Sequence, residues 1–113
     1  MQEKIGIIGF GNMGSAIAGQ LLNYYQLYAF DRDKNKTAGK RGIIVTRDLL
    51  TLVKSVDILL LAVKPQDLDP VLKSIRNYVK DKLIISIAAG ISTKHIERML
   101  GEVRVIRDRK SVV

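Results

Sequence analysis

A glycine-rich loop near the start of the chain constrains its fold more than any other feature. Gly9, Gly11 and Gly14 directly follow the apolar, β-rich run Lys4–Ile8. In this setting the first glycine permits a tight turn, the second lets the backbone approach a pyrophosphate, and the third lets a helix pack against the strand. The loop therefore predicts a strand, a dinucleotide-binding turn and a helix. The predicted apolar face of that helix consists of Met13, Ile17, Ala18, Leu21 and Leu22.

The rest of the chain alternates short apolar runs with segments of helical periodicity. That alternation is typical of βαβ units built on a parallel sheet. The unbroken apolarity of Ile58–Val63 predicts a central strand covered on both faces, and Val103–Ile106 is predicted to be a buried last strand. The predicted strands are Lys4–Ile8, Leu27–Phe30, Ile43–Val45, Ile58–Val63, Leu83–Ile87 and Val103–Ile106.

Local capping chemistry predicts where the later helices begin and end. Asp48 is expected to cap the helix that follows it, and Gly101 is expected to end the last helix, which begins at Ser92 or Thr93. Asp69 and Pro70 predict the N-cap and the first helical position of another helix, which lies between those two helices in the sequence. The whole pattern predicts an α/β fold, namely a Rossmann-like, doubly wound parallel sheet in a single domain.

Composition limits the function classes that remain open. The 113 residues suffice for one domain, and the lack of cysteine together with a single histidine, His95, argues against disulfides and against thiolate or multi-histidine metal sites. The formal charge of +8 allows a polyanion partner or a lysine-rich solvated surface, and the scatter of the charges favours the surface. Without a signal peptide or a membrane-length apolar run, a soluble cytoplasmic protein with no membrane or nucleic-acid partner is expected.

The end of the second predicted strand bears on the choice of cofactor. Asp31 lies 22 residues after Gly9, and an acidic residue there usually binds the adenosine ribose hydroxyls and favours NAD. However, Arg32 follows at once, and the segment Lys34–Lys40 adds three lysines. Such cations either bind the 2′-phosphate of NADP or belong to a solvated loop. The residues alone leave NADP(H) and NAD(H) both open.

Two later strands also end in residues suited to a nucleotide site, because ligands of open α/β sheets bind at the carboxyl ends of the strands. Ala62, Val63, Lys64 and Pro65 end the fourth predicted strand, and Ala88, Ala89 and Gly90 end the fifth. Small residues at such ends let a cofactor approach the backbone. Lys64 is interpreted as a positioning or solvated residue rather than a catalytic one, and His95 as a surface residue.

Three segments of the chain together resemble the N-terminal domain of pyrroline-5-carboxylate reductase. They are "KIGIIGFGNMGSAIAGQL", "DILLLAVKPQDLDPVLKSI" and "LIISIAAGISTKHIERMLG", and the resemblance extends over Lys4 to Arg107. It implies reduction of 1-pyrroline-5-carboxylate to proline, the last step of proline biosynthesis, by hydride transfer from NADPH or NADH. It also implies a further C-terminal helical domain that supplies the substrate pocket and the dimer interface. The resemblance assigns no catalytic residue within this chain.

Carried over to matching positions, the resemblance implies a set of cofactor contacts. They are Ile8, Gly9, Phe10, Gly11, Asn12, Met13, Ala62, Val63, Lys64, Pro65, Ala88, Ala89 and Gly90. The glycine pattern and the second strand end add Gly14, Asp31 and Arg32 to the predicted site. No metal ligand is predicted.

The chain departs from the family pattern after Arg107. The family continues with a segment of the type "RxMPN", whereas here the last six residues are "DRKSVV". Residues 1–107 are therefore expected to form the dinucleotide-binding domain. Residues 108–113 are expected to be a non-native tail that resembles a translated sequencing adapter, with a genuine truncated paralogue or a frameshifted pseudogene as the alternative. Two other functions also stay open: a stand-alone, non-catalytic dinucleotide-binding module and another small imine or 2-hydroxyacid reductase.

Overall fold

The computed structural model describes residues 3–87, 91–101 and 103–107. Within them six strands form one parallel sheet in the order β3-β2-β1-β4-β5-β6. The strands are β1 Lys4–Ile8, β2 Gln26–Phe30, β3 Ile43–Val45, β4 Ile58–Leu61, β5 Leu83–Ser86 and β6 Arg104–Arg107. The strand order reverses between β1 and β4, which creates the topological switch point of a doubly wound sheet. This confirms the predicted fold class.

In the described ranges four α-helices cover the two faces of the sheet unequally. They are α1 Asn12–Leu21, α2 Leu49–Ser55, α3 Pro65–Ile75 and α4 Thr93–Leu100, and short 3₁₀ turns occupy Lys34–Lys36 and Arg76–Tyr78. One apolar cluster joins α1 to the sheet, and a second, larger cluster joins α2, α3 and α4 to the opposite face. Among the helices of the described residues, none combines the length and the apolarity needed to cross a membrane.

Strand β4 is a central strand covered on both faces, as predicted. It lies between β1 and β5, and Leu59, Leu60 and Leu61 are all buried. Leu59 and Leu61 belong to the cluster beneath α2, α3 and α4, whereas Leu60 belongs to the cluster beneath α1. Each fully buried leucine side chain stabilises the fold by roughly 1.5–3 kcal/mol, so this strand anchors both layers.

Three predicted helix boundaries are confirmed by the hydrogen bonds of their caps. The carboxylate of Asp48 accepts a hydrogen bond of 2.8 Å from the N–H of Thr51 at the start of α2. The hydroxyl of Ser92 accepts one of 3.2 Å from the N–H of His95 at the start of α4. Gly101 ends α4 with φ at +87°, a conformation that favours glycine. These boundaries depend on short-range contacts, which explains why the sequence predicts them.

The predicted start of α3 is wrong by five residues. The helix begins at Pro65, and Pro70 lies inside it. Proline fits the first helical position because its φ is already helical and its missing N–H would have no partner there. The additional turn places Leu68 on the buried stripe with Leu72 and Ile75, and this burial outweighs the hydrogen bond that Pro70 cannot make.

Two predictions of burial are also wrong. Strand β6 was expected to be fully buried, but it is the last strand of the sheet: Val105 is partly buried against the larger apolar cluster, whereas Ile106 is 51% exposed. Met13 was expected on the buried face of α1, but it is 50% exposed, because Gly14 and Ala18 form that face. Adjacent residues of a helix point in directions about 100° apart, so Met13 turns away when Gly14 faces the sheet.

Candidate nucleotide-binding site

A pocket of about 540 Å³ opens beside the carboxyl ends of β1, β2 and β4. This is the crevice in which open α/β sheets bind ligands, and its volume lies within the usual range for small-molecule sites. The lining residues are Ile8, Gly9, Gly11, Phe30, Asp31, Arg32, Asp33, Lys36, Leu49, Ala62, Val63, Lys64, Asp67, Pro70, Val71 and Ser74. The pocket thus has walls from the glycine loop, the end of β2, the start of α2 and one side of α3.

The first and third glycines of the loop are required by the backbone around them. Gly9 has φ at +92°, and a Cβ there would lie 2.8 Å from the carbonyl oxygen of Ala62. A Cβ at Gly14 would overlap the carbonyl oxygen of Gly9. The predicted roles of these two glycines, a tight turn and close packing of the helix on the strand, therefore have a steric basis in the structure.

The second glycine, Gly11, borders open space in the pocket. A Cβ at Gly11 would meet only the ammonium nitrogen of Lys36, at 3.8 Å, and Gly11 lines the pocket. Gly11 is also the N-cap of α1, which has no side-chain cap and no acidic residue in its first turn. Free N–H groups and the helix dipole at such a start favour a bound anion.

Asp31 connects the glycine loop to the end of β2. Its Oδ2 accepts a hydrogen bond of 2.7 Å from the N–H of Phe10, and its Oδ1 accepts one of 2.8 Å from the N–H of Asp33. Asp33 in turn accepts a 3.0 Å hydrogen bond from the N–H of Asn35, which begins the 3₁₀ turn Lys34–Lys36. Each carboxylate oxygen has a second lone pair, so Asp31 can brace the loop and still accept a hydrogen bond from a ribose hydroxyl.

The basic residues after Asp31 separate into different places. Arg32 and Lys36 line the pocket, whereas the ammonium group of Lys40 lies 5.8 Å from the ring centroid of Phe10. The guanidinium of Arg32 is 3.7 Å from the carboxylate of Asp67 on α3. The sequence places these cations in one cluster, but only the folded loop shows which of them face the pocket.

The predicted site residues fall into three groups. Ile8, Gly9, Gly11, Asp31, Arg32, Ala62, Val63 and Lys64 line the pocket. Phe10, Asn12, Met13, Gly14 and Pro65 are outside the lining; the side chain of Phe10 is buried in the core. Ala88, Ala89 and Gly90 lie outside the described residues, so their predicted contacts stay a prediction.

Several lining residues were missed by the sequence reasoning. They are Phe30, Asp33, Leu49 and four residues of α3, namely Asp67, Pro70, Val71 and Ser74. The α3 residues recur at helical spacing, so a correct start of α3 at Pro65 would have placed them on one side of the helix. Leu49 directly follows the correctly predicted cap Asp48, so its place at the start of α2 could have been predicted from the sequence.

His95 lies outside the lining of the pocket. His95 Nε2 lies 2.6 Å from Asp69 Oδ1, where α4 meets α3, and both side chains are partly exposed. Neither residue lines the pocket, as expected for a surface histidine. In the part of the chain that the structure describes, no group of three or more histidine, aspartate or glutamate side chains could hold a metal ion.

Comparison with known proteins places this site in a family. The sequence model of the family described as "NADP oxidoreductase coenzyme F420-dependent" matches residues 4–90. The chain belongs to this family. One curated relative is the pyrroline-5-carboxylate reductase of Methanosarcina acetivorans, which is 40% identical to this chain over 115 residues. The match covers 93% of this chain and 43% of that protein.

Solved structures resemble this oxidoreductase-family chain over nearly its whole length. A pyrroline-5-carboxylate reductase from Coxiella burnetii has a TM-score of 0.85 and 30% identity, with 95% of this chain and 43% of that chain covered. The Plasmodium falciparum pyrroline carboxylate reductase with NADP bound has a TM-score of 0.81 and 28% identity, with 93% and 41% covered. The predicted resemblance is therefore confirmed, and the chain spans about two fifths of the length of these relatives.

Proposed function

We propose that this chain is the dinucleotide-binding part of a reductase of the pyrroline-5-carboxylate type, with NADP(H) as its cofactor and NAD(H) as the alternative. The observation that carries the proposal is the glycine loop. Gly9 and Gly14 are fixed by backbone contacts, whereas Gly11 leaves an open cradle at the start of α1. The relatives that the chain matches support the same function.

The residues around the pocket fit a dinucleotide. The backbone at Gly11 and the start of α1 suit the pyrophosphate, because a side chain at Gly11 would fill the space that a phosphate needs. Asp31 retains lone pairs for the adenosine ribose. Leu49, Val63 and Val71 give the pocket an apolar portion suited to an adenine ring.

The cofactor supplies the hydride when it is bound, and this chain supplies its binding and orientation. In the complete reductase the proposed substrate is 1-pyrroline-5-carboxylate, whose imine carbon accepts the hydride in the last step of proline biosynthesis. A cytoplasmic location and a homo-oligomeric state are proposed for that complete protein. The proposed nucleotide-binding domain spans residues 1–107, with residues 108–113 as a non-native tail, and long-read sequencing of the gene beyond the Arg107 codon tests these bounds.

Cofactor binding is tested by titrating NADPH and NADH against the whole chain and following nicotinamide fluorescence. At least one of them should bind, and Gly11→Val should weaken that binding more than tenfold. The folded chain itself has room for the added side chain, because a Cβ at Gly11 meets only the end of Lys36. The urea midpoint of Gly11→Val should therefore stay close to that of the parent chain.

Gly19→Ala is the matched control for this experiment. Gly19 lies on the same helix, and a Cβ there meets nothing within 4 Å, so the variant should bind the cofactor like the parent chain. The proposal fails if neither NADPH nor NADH binds, or if Gly11→Val binds them as tightly as the parent chain. In a gene product that continues beyond Arg107, NADPH oxidation by 1-pyrroline-5-carboxylate but not by a cyclic imine without the carboxylate would support the proposed substrate.

A further inference from the structure

An ion pair joins two residues that line the pocket, Arg32 and Asp67. Arg32 follows β2, whereas Asp67 lies in the first turn of α3, and both residues line the pocket. The guanidinium Nη2 of Arg32 lies 3.7 Å from Oδ1 of Asp67, with the side chains 87% and 37% exposed. The pair therefore directs the Arg32 guanidinium towards α3.

Asp67 differs from the other two carboxylates of the pocket in what it contacts. Asp31 accepts hydrogen bonds from the N–H groups of Phe10 and Asp33, and Asp33 accepts one from Asn35. Those two carboxylates hold the backbone of the loop. The described side-chain partner of Asp67 is instead the exposed guanidinium group of Arg32.

The charges that line the pocket are balanced. Three are cationic, from Arg32, Lys36 and Lys64, and three are anionic, from Asp31, Asp33 and Asp67. A ribose hydroxyl adds no charge to this set, whereas a 2′-phosphate adds nearly two negative charges. Each carboxylate near the ribose therefore disfavours the phosphorylated nucleotide, and Asp67 also competes with that phosphate for Arg32.

We propose that Asp67 determines cofactor specificity by holding Arg32 and thereby lowering the preference for NADP(H) over NAD(H). The inference rests on the proposed function, because it assumes that the pocket binds the adenosine half of a dinucleotide. Exposed ion pairs are weak, corresponding to a factor of up to about five in an equilibrium constant. Release of Arg32 and loss of one repulsive charge together should change the cofactor preference by about threefold to tenfold.

The test compares the dissociation constants of NADPH and NADH for the whole chain and for Asp67→Asn at low ionic strength. Asp67→Asn should tighten NADPH binding by about threefold to tenfold and leave NADH binding within about twofold. Asp67→Glu retains the charge and should keep the parent preference. Asp81→Asn makes the same change in net charge at an exposed residue outside the pocket lining, and it should also keep the parent preference.

A double variant tests whether Asp67 acts through Arg32. In an Arg32→Gln background, Asp67→Asn should change the NADPH-to-NADH preference clearly less than it does in the parent chain. An equal change in both backgrounds overturns the proposal, as does an unchanged preference in Asp67→Asn or an equal weakening of both cofactors. If the parent chain binds a cofactor but Asp67→Asn leaves the NADPH-to-NADH preference unchanged, this inference alone fails. If the parent chain binds neither cofactor, the proposed function fails with it.

Discussion

Replacement of Gly14 by alanine tests how closely the first helix must approach the first strand. In a helix interior, Gly→Ala usually raises stability by about 1 kcal/mol, because alanine loses less backbone entropy on folding. At Gly14, however, a Cβ would overlap the carbonyl oxygen of Gly9. We therefore expect Gly14→Ala to lower the free energy of unfolding, which is the opposite of what helix propensity predicts.

The size of the effect follows from what the new methyl group would meet. The obstacle is backbone, so a change of side-chain rotamer cannot relieve it, and the N–H of Gly9 is fixed by a 2.9 Å hydrogen bond to the carbonyl of Phe30. Overpacking a close-packed site costs about 1–3 kcal/mol. Taking about 3 kcal/mol and subtracting about 1 kcal/mol for helix propensity leaves a net loss of about 2 kcal/mol. For a domain of this size, that loss lowers Tm by roughly 10 °C.

The assay is urea unfolding followed by far-ultraviolet circular dichroism, with Gly19→Ala as the matched control. Gly19 is exposed on the same helix and has open space around it, so the same substitution there should raise stability by up to about 1 kcal/mol. The two variants should therefore move the urea midpoint in opposite directions. If Gly14→Ala is as stable as the parent chain, or if both substitutions destabilise the fold equally, the steric argument is refuted.

Three further predictions concern single side chains in or near the site. Asp31→Ala removes the acceptor for two backbone N–H groups and should lower the free energy of unfolding by about 2 kcal/mol in urea titrations; an unchanged midpoint would contradict the bracing role. Hydrogen bonds from Thr51 hold the pKa of Asp48 below its ordinary value of 3.8, so this carboxylate contributes stability above that pH and loses it as the pH falls through its lowered pKa. Asp48→Ala should thus be less stable than the parent chain at neutral pH in urea titrations. If the difference in free energy of unfolding between the two did not narrow in acid, the stabilising role of the Asp48 carboxylate would be contradicted. Pro70→Ala restores a backbone donor inside α3 and should raise the free energy of unfolding in urea titrations by about 1–3 kcal/mol. A loss of stability would show that the proline is required there.

The sequence predicts those parts of the fold that depend on neighbouring residues. Gly9 and Gly14 could be assigned because a strand, a turn and a helix follow one another within a few residues. Asp48 and Ser92 could be assigned as caps because their hydrogen bonds reach only three residues along the chain.

The errors arise where contacts between distant segments outweigh local preference. Asp69–Pro70 has the local pattern of a helix start, but burial of Leu68 beneath the sheet extends α3 back to Pro65. Val103–Ile106 is apolar enough for a central strand, yet its exposure depends on its place at the end of the strand order. An apolar pattern indicates that a segment can be buried, but only packing decides how far it is buried.

The sequence by itself determined that this chain forms a doubly wound parallel sheet with a glycine loop between its first strand and first helix, because both depend on short-range patterns of apolar residues and glycine. Only the tertiary structure decided which side chains from distant segments contact one another around the pocket. Phe10 and Asp31 are 21 residues apart and share a hydrogen bond, and Arg32 reaches Asp67 across the cleft. Such pairs meet because the carboxyl ends of neighbouring parallel strands share one edge of the sheet, and no local pattern records which side chains face each other there.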